Sequence, residues 1–193
     1  MMVRDLLFSK LNVLILNDYL HNRYKLAFER EYMLIEIIRY REKYKQQIID
    51  LILHIQNAEA GIDLNLQEQP DLMNIPFYYE KNGGEFWLAV DNDTVIGTIG
   101  LMNYGNGNGV LKKFFVKADW RSKKIGLALY QTFLKEVQAG GYRQIILDTP
   151  SVAKASHHFY HRAGFERISK NELPFPYEYP DRNSLLYLLK MQG

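Results

Sequence analysis

The residues with the strongest claim to chemistry lie in WRSKKIGLALYQTF, Trp120 to Phe133. There Arg121, Lys123 and Lys124 crowd Gly126, and an apolar helical pattern follows at once. The start of a helix presents backbone N–H groups without intrahelical partners and carries partial positive charge, so an anionic phosphate fits there. Gly126 would let such a ligand approach the backbone closely, and the three cations could add charge-assisted contacts. Beyond the turn, Ile125, Leu129, Phe133 and Val137 form a core stripe. A basic turn on an amphipathic helix is otherwise a solvated face, and these residues alone leave both readings open.

Other chemistries find less support. His157 and His161 stand at i, i+4 in HHFYH, but no glutamate occupies the H-E-x-x-H base position and no third ligand is evident. Metal chemistry is therefore not expected. The chain has no cysteine, which removes thiolate nucleophiles, disulfides and zinc–thiolate sites together and fits a reducing compartment. Of its 193 residues 47% are hydrophobic and 24% charged, as in a folded globular protein. The net charge of +2 is too small to point to nucleic acid. No apolar run reaches the roughly 18 residues of a membrane span, and the N-terminal VLIL is flanked by charged and amide residues rather than a cleavage site. A cytoplasmic protein is expected.

The elements that must position the basic turn can be read from periodicity. Residues 1–32 carry Leu6, Leu7, Leu11, Leu14, Tyr19, Leu20 and Phe28 at mostly helical spacing and are expected to form a helical extension, a packing arm or a homodimer contact. Residues 33–193 form the main domain. MLIEIIRY is a strand, KYKQQIIDLILHIQNAEA a helix, and the stretch from Gly61 to Tyr79 loops or a short helix around Pro70 and Pro76. EFWLAVDNDTVIGTIGLMNY gives two strands around Asp91-Asn92-Asp93, and VLKKFFVKADW another after the YGNGNG turn. A helix from about Lys124 to Ala139 stops at Gly140-Gly141. YRQIILDT, a helix from Ser151 to Ala163, GFERIS and NSLLYLLKM complete the chain. The expected fold is mixed α/β, one sheet with helices on its faces.

The strand, basic turn and helix resemble the acyl-CoA-binding segment of the GNAT N-acetyltransferase superfamily, in stand-alone bacterial form. The signature Arg/Gln-x-x-Gly-x-Gly/Ala reads Arg121-Ser122-Lys123-Lys124-Ile125-Gly126, with lysine at the first glycine position. HHFYHRAGFERIS resembles the family's hydrophobic-Tyr-x-x-x-Gly-Phe segment through Phe159, Tyr160, Gly164 and Phe165; Ala153 stands where an asparagine is often found. The resemblance runs from about Met33 to Lys190 and implies a central, mostly antiparallel twisted sheet of about seven strands flanked by helices.

It further implies transfer of an acetyl group from acetyl-CoA, as co-substrate, to a primary amine of a small molecule or peptide by direct attack in a ternary complex. Acyl-CoA contacts would fall on Phe114, Phe115 and Val116, which pair with the pantetheine arm, and on Arg121, Ser122, Lys123, Lys124, Ile125, Gly126, Leu127 and Ala128 around the pyrophosphate. A backbone N–H near Phe115 or Val116 would stabilise the oxyanion. Tyr160 would protonate the departing sulfur, since a phenol stays protonated at neutral pH. Glu85, His54 and Asp148, or a chain of waters, are alternatives for the base. Six cations between Lys112 and Lys124 would face polyanionic CoA, and eight acids between Asn57 and Asp93 would receive a cationic amine. Two readings compete: a non-catalytic acyl-CoA sensor, and a nucleic-acid-binding protein using the basic turn and the N-terminal helices, against which the near-neutral net charge argues.

Overall fold

The computed structural model describes residues 14–18, 23–27, 35–180 and 183–191. Its strands are β1 (Leu14–Asp18), β2 (Arg23–Ala27), β3 (Ile35–Arg39), β4 (Glu85–Asp91), β5 (Thr94–Asn103), β6 (Asn108–Val116), β7 (Gln144–Pro150), β8 (Glu166–Ile168) and β9 (Ser184–Lys190). Its helices are α1 (Lys45–Leu53), continued by a π-helical turn at His54–Glu59, α2 (Pro70–Met73), α3 (Ile75–Tyr78), α4 (Ile125–Ala139) and α5 (Lys154–Arg162).

All strands join one sheet in the order β1-β2-β3-β4-β5-β6-β7-β9-β8. Every pairing is antiparallel except β6 with β7. Strands β3 to β9 are the seven-stranded, mostly antiparallel sheet expected from the sequence. The helical reading of the N-terminal extension is corrected at residues 14–18 and 23–27, which form an antiparallel pair that continues the sheet beyond β3. Short apolar runs do not separate helix from strand, and the open edge of β3 supplies a hydrogen-bonding template that local periodicity does not reveal. The remainder of 1–32 lies outside the described residues.

Helices cover both faces because strand residues alternate between them. On one face, Ile125, Leu129, Phe133 and Val137 of α4 and Tyr160 of α5 pack on Ile37, Trp87, Ile99, Leu111, Ile145 and Leu147. On the other, Ile48, Ile52 and Ile55 pack with Leu72, Ile75 and Tyr79 on Phe86 and Leu88. A smaller cluster there joins Val110, Ile146, Leu186 and Leu188 to Tyr177 in the segment before β9. Pro70 and Pro76 sit in the first turns of α2 and α3, where their missing N–H costs nothing. Gly140 caps α4, and Gly141 takes a φ of +66°.

Candidate active site

The parallel pair β6–β7 is the opening in the sheet. It is held only by Asn108, Gly109 and Val110 against Gln144, Ile145 and Ile146. Past these pairs β6 runs on to Val116 beside β5, and β7 to Pro150 beside β9. Their facing edges part, leaving backbone groups of β6 without a strand partner. Lys117 gives its amide to Ile96, so strand alternation turns the amide of Val116 toward the gap. The Val116 carbonyl, at the same edge, accepts from Arg121 Nε at 3.0 Å.

The N-terminus of α4 stands at the end of β6. Among the described residues, no backbone acceptor pairs with the amides of Ser122 to Leu127, as the geometry of a helix start requires. The loop leading in is bent by two left-handed residues, Ser122 at φ +63° and Lys124 at φ +64°. Lys124, which stands at a glycine position of the signature that this segment resembles, therefore adopts a left-handed conformation of the kind that favours glycine. A methyl group at Gly126 would meet only ordinary contacts, Phe114 at 3.5 Å and Val116 at 3.7 Å. Glycine here is not imposed by packing inside the protein. Unpaired amides and an open helix start fit a pyrophosphate on the chemistry of the donor set.

Around that turn the sequence-derived residues divide. Phe114 and Val116 pack on the α4 face and Phe115 on the α1 face. Ile125 and Ala128 are buried in the core, while Arg121, Ser122, Lys123 and Lys124 are exposed and Gly126 and Leu127 are half-buried. The Lys123 ammonium lies 4.7 Å from the centre of the Trp120 ring. Arg121 is engaged by the carboxylate of Glu59 at the end of the π turn. The six cations therefore do not form one basic surface: Lys112 and Lys113 turn to the opposite face of the sheet and are paired there.

That divergence comes from a β-bulge. Gly100 pairs with Lys112 and Thr98 with Phe115, so Ile99 alone faces both Lys113 and Phe114. Lys113 sits at φ +51°, its carbonyl accepting from the Thr98 hydroxyl at 2.6 Å. Its ammonium is 2.6 Å from Gln69 Oε1 and 3.4 Å from Asp71 Oδ1. Asp71 Oδ2 in turn accepts from the Tyr79 hydroxyl at 2.8 Å. Burial pushes the Lys113 ammonium below the ordinary lysine range, against the pull of Asp71. Lys112 Nζ reaches across the gap to Asp148 Oδ1 at 3.2 Å and to the Tyr177 hydroxyl at 2.7 Å; Tyr177 also donates to Asp148 Oδ1.

On the other face, Tyr160 lies beside the same gap. Its ring is ringed by Phe114, Phe159, Phe165 and Tyr187, with the Phe114 centroid 6.4 Å away. Burial first, and the Asp148 charge second, raise its pKa well above that of a free phenol. Among the described residues its hydroxyl has no hydrogen-bond partner, although it is not sealed from the surface.

The three base alternatives separate clearly. Glu85 is held by Arg39 at 2.8 Å on the face of α4, near Glu136 in its last turn. His54 is largely exposed, 3.9 Å from Glu59. Only Asp148 borders the gap. The acids between Asn57 and Asp93 do not form one receiving surface either: Glu59, Asp71, Glu85 and Asp93 are bound to Arg121, Lys113, Arg39 and Lys43. His157 accepts no metal-like company, its Nε2 lying 2.9 Å from the Pro150 carbonyl. Among the described residues no three His, Asp or Glu side chains gather as metal ligands, and no helix is long and apolar enough to cross a membrane.

The bulge and the buried pairing of Lys112 and Lys113 were missed from the sequence, where alternation sends neighbouring strand residues to opposite faces. The Asp148–Tyr177 contact spans 29 positions, which no local pattern reveals.

Comparison with known proteins agrees with this geometry. The acetyltransferase (GNAT) family matches residues 49–165. An acetyltransferase of known structure from Streptococcus agalactiae is 37% identical, with a TM-score of 0.79 over 81% of this chain and 98% of that one. The PaiA N-acetyltransferase of Thermoplasma acidophilum, solved in complex with coenzyme A, shares the fold at 20% identity, with a TM-score of 0.63 over 81% of this chain and 99% of that one. N-acetylaspartate synthetase of Danio rerio is 31% identical over 53% of this chain, a match spanning only 37% of that relative. A sheet parted between two parallel strands, a free helix start at the end of the first, and a family match over most of the domain lead to one conclusion: the chain belongs to the GNAT acetyltransferase family.

Proposed function

We propose that the protein transfers an acetyl group from acetyl-CoA to a primary amine of a small molecule or peptide, by direct attack while both are bound. The observation that carries this is the convergence of three features on one gap: the free edge of β6, the unpaired amides at the start of α4, and the unpartnered Tyr160 hydroxyl. Residues 33–193 form the catalytic unit, to which 1–32 is an extension.

When bound, acetyl-CoA supplies an activated thioester; the chain supplies position and protons. The amides of Ser122 to Leu127 hold the pyrophosphate, with Lys123 and Lys124 beside it. The gap-facing backbone of Phe114 and Val116 pairs with the pantetheine arm. The Val116 amide, aimed into the gap, also suits the developing oxyanion, an interaction often worth about 2.7–4 kcal/mol. Tyr160 protonates the leaving sulfur; its raised pKa keeps the proton available at neutral pH.

Titration calorimetry with acetyl-CoA, combined with thiol release on a panel of primary amines, tests this reading. Native binding that is lost in Gly126→Asp, together with turnover on at least one amine, is the expected result. Binding without turnover on any amine would identify an acyl-CoA sensor instead, and absence of binding would defeat the proposal.

A further inference from the structure

Asp148 occupies an unusual position for a strand carboxylate. It lies on β7 beyond the last β6–β7 pair, so Leu186 of β9 pairs with it on one side while its other side borders the parted strands. Its face is that of Ile146, opposite α4 and α5. Tyr160 borders the same gap from the other side, close enough for the Asp148 charge to act on it. A thioester lying in the gap would therefore have Tyr160 toward one face of the sheet and Asp148 toward the other.

The carboxylate is also unevenly satisfied. Lys112 Nζ and the Tyr177 hydroxyl both bind Oδ1. Among the described residues Oδ2 accepts no hydrogen bond, and it is not among the sealed polar atoms. The side chain keeps 14% of its surface exposed. A half-buried carboxylate with one fixed oxygen and one free, accessible oxygen is a ready acceptor for a further donor. The surroundings already gather cations: the rings of Tyr177 and Tyr179 stack 5.5 Å apart, with Tyr104 6.0 Å from Tyr177 and the Lys170 ammonium 5.9 Å from the Tyr179 ring centre, as aromatic faces attract ammonium groups. The Lys112 ammonium itself lies 5.2 Å from the Tyr177 ring centre.

We propose that Asp148, oriented by Lys112 and Tyr177, receives the acceptor as its ammonium ion through Oδ2 and acts as the base that converts it to the attacking amine. This rests on the acetyltransferase reading and names the acceptor class, a cationic primary amine arriving from the face opposite Tyr160. The ammonium loses one proton to Asp148, which passes it to solvent. The nitrogen lone pair forms the C–N bond as the carbonyl pair moves to oxygen, and collapse breaks the C–S bond. Sulfur leaves with that bonding pair and takes the Tyr160 proton; the proton shed by the amide nitrogen restores the phenol. The products are the acetylated amine, free CoA thiol and one solvent proton. Charged and titratable groups facing Asp148 are Lys112 on β6, Lys113 at the bulge, Tyr104 after β5, Tyr160 on α5 and Tyr177.

The test compares native chain, Asp148→Asn and Tyr177→Phe by acetyl-CoA calorimetry and by thiol release with benzylamine, putrescine, aspartate and an alanine-initiated tetrapeptide, from neutral to alkaline pH. Asp148→Asn is expected to bind acetyl-CoA as the native chain does and to lose about 10²-fold in kcat near neutrality. That deficit should shrink as pH rises toward the amine's own pKa, because solution then supplies free amine; a packing defect would show no such recovery. Tyr177→Phe should lose less, in the same direction. Native turnover that survives unchanged in Asp148→Asn, or a deficit independent of pH, would overturn this inference alone. A native chain that turns over no amine would overturn the transferase reading, and this inference with it.

Discussion

Lys112 and Lys113 are adjacent in the chain, yet both send their ammonium groups to the same face of the sheet. One binds Asp148 across the parted strands, and the other binds Asp71 of α2. The bulge opposite Ile99 makes this possible by giving Lys113 a left-handed backbone and restoring alternation only at Phe114. Lys113 is thereby taken from the α4 face of β6, where simple alternation would place it, and joins Lys112 on the opposite face.

The Lys113–Asp71 pair should behave as a buried ion pair. Lys113→Met leaves the Asp71 carboxylate with Tyr79 but without its cation, and should cost about 3–5 kcal/mol in urea unfolding. Lys113→Met combined with Asp71→Leu should recover most of that loss, because no uncompensated charge remains. Equal destabilisation in both variants would show that the pair's charges are not coupled.

The same lysine predicts a pH dependence. Its folded pKa lies below the ordinary lysine value of 10.5, so the unfolded chain binds this proton more tightly. Stability contributed by the site therefore rises with pH through the window between the folded value and 10.5. Native protein should gain stability relative to the Lys113→Met/Asp71→Leu variant as alkaline pH is approached, read as diverging urea midpoints.

Lys124 holds a left-handed conformation, and its side chain makes no capping hydrogen bond to the helix. Lys124→Gly should relieve roughly 1 kcal/mol of backbone strain and raise the melting temperature, while acetyl-CoA binding measured by calorimetry stays within a few-fold. A large loss of binding would show that the lysine charge, and not the turn, carries affinity.

Tyr160→Phe keeps the ring among Phe114, Phe159, Phe165 and Tyr187 and removes only the hydroxyl. Turnover should fall by about 10²-fold or more, with acetyl-CoA affinity nearly unchanged. Because burial raises the phenol pKa, native kcat should show no alkaline decline from this group near the ordinary phenol value of 10.0. Unchanged turnover in the variant would remove Tyr160 from the mechanism.

Much of the scaffold was set by local information. Alternating and helical apolar spacing marked the elements from Ile35 to Lys190, because burial on one face of a sheet or helix repeats every two or 3.6 residues. Arg121 to Gly126 identified the helix start, and Tyr160 followed from its place five residues before Phe165. Tertiary structure decided the rest. Whether Leu14–Asp18 became helix or strand depended on the open edge of β3, which lies outside any local window. The direction of Lys113 depended on one extra residue in β6 relative to β5, and strand pairing sets that count, not the composition of either strand. Asp148 could not be told from Glu85 or His54 by sequence, since a base is defined by what it faces. Only the parting of β6 from β7, and the return of Tyr177 from 29 positions away, brought one of these three side chains to the gap.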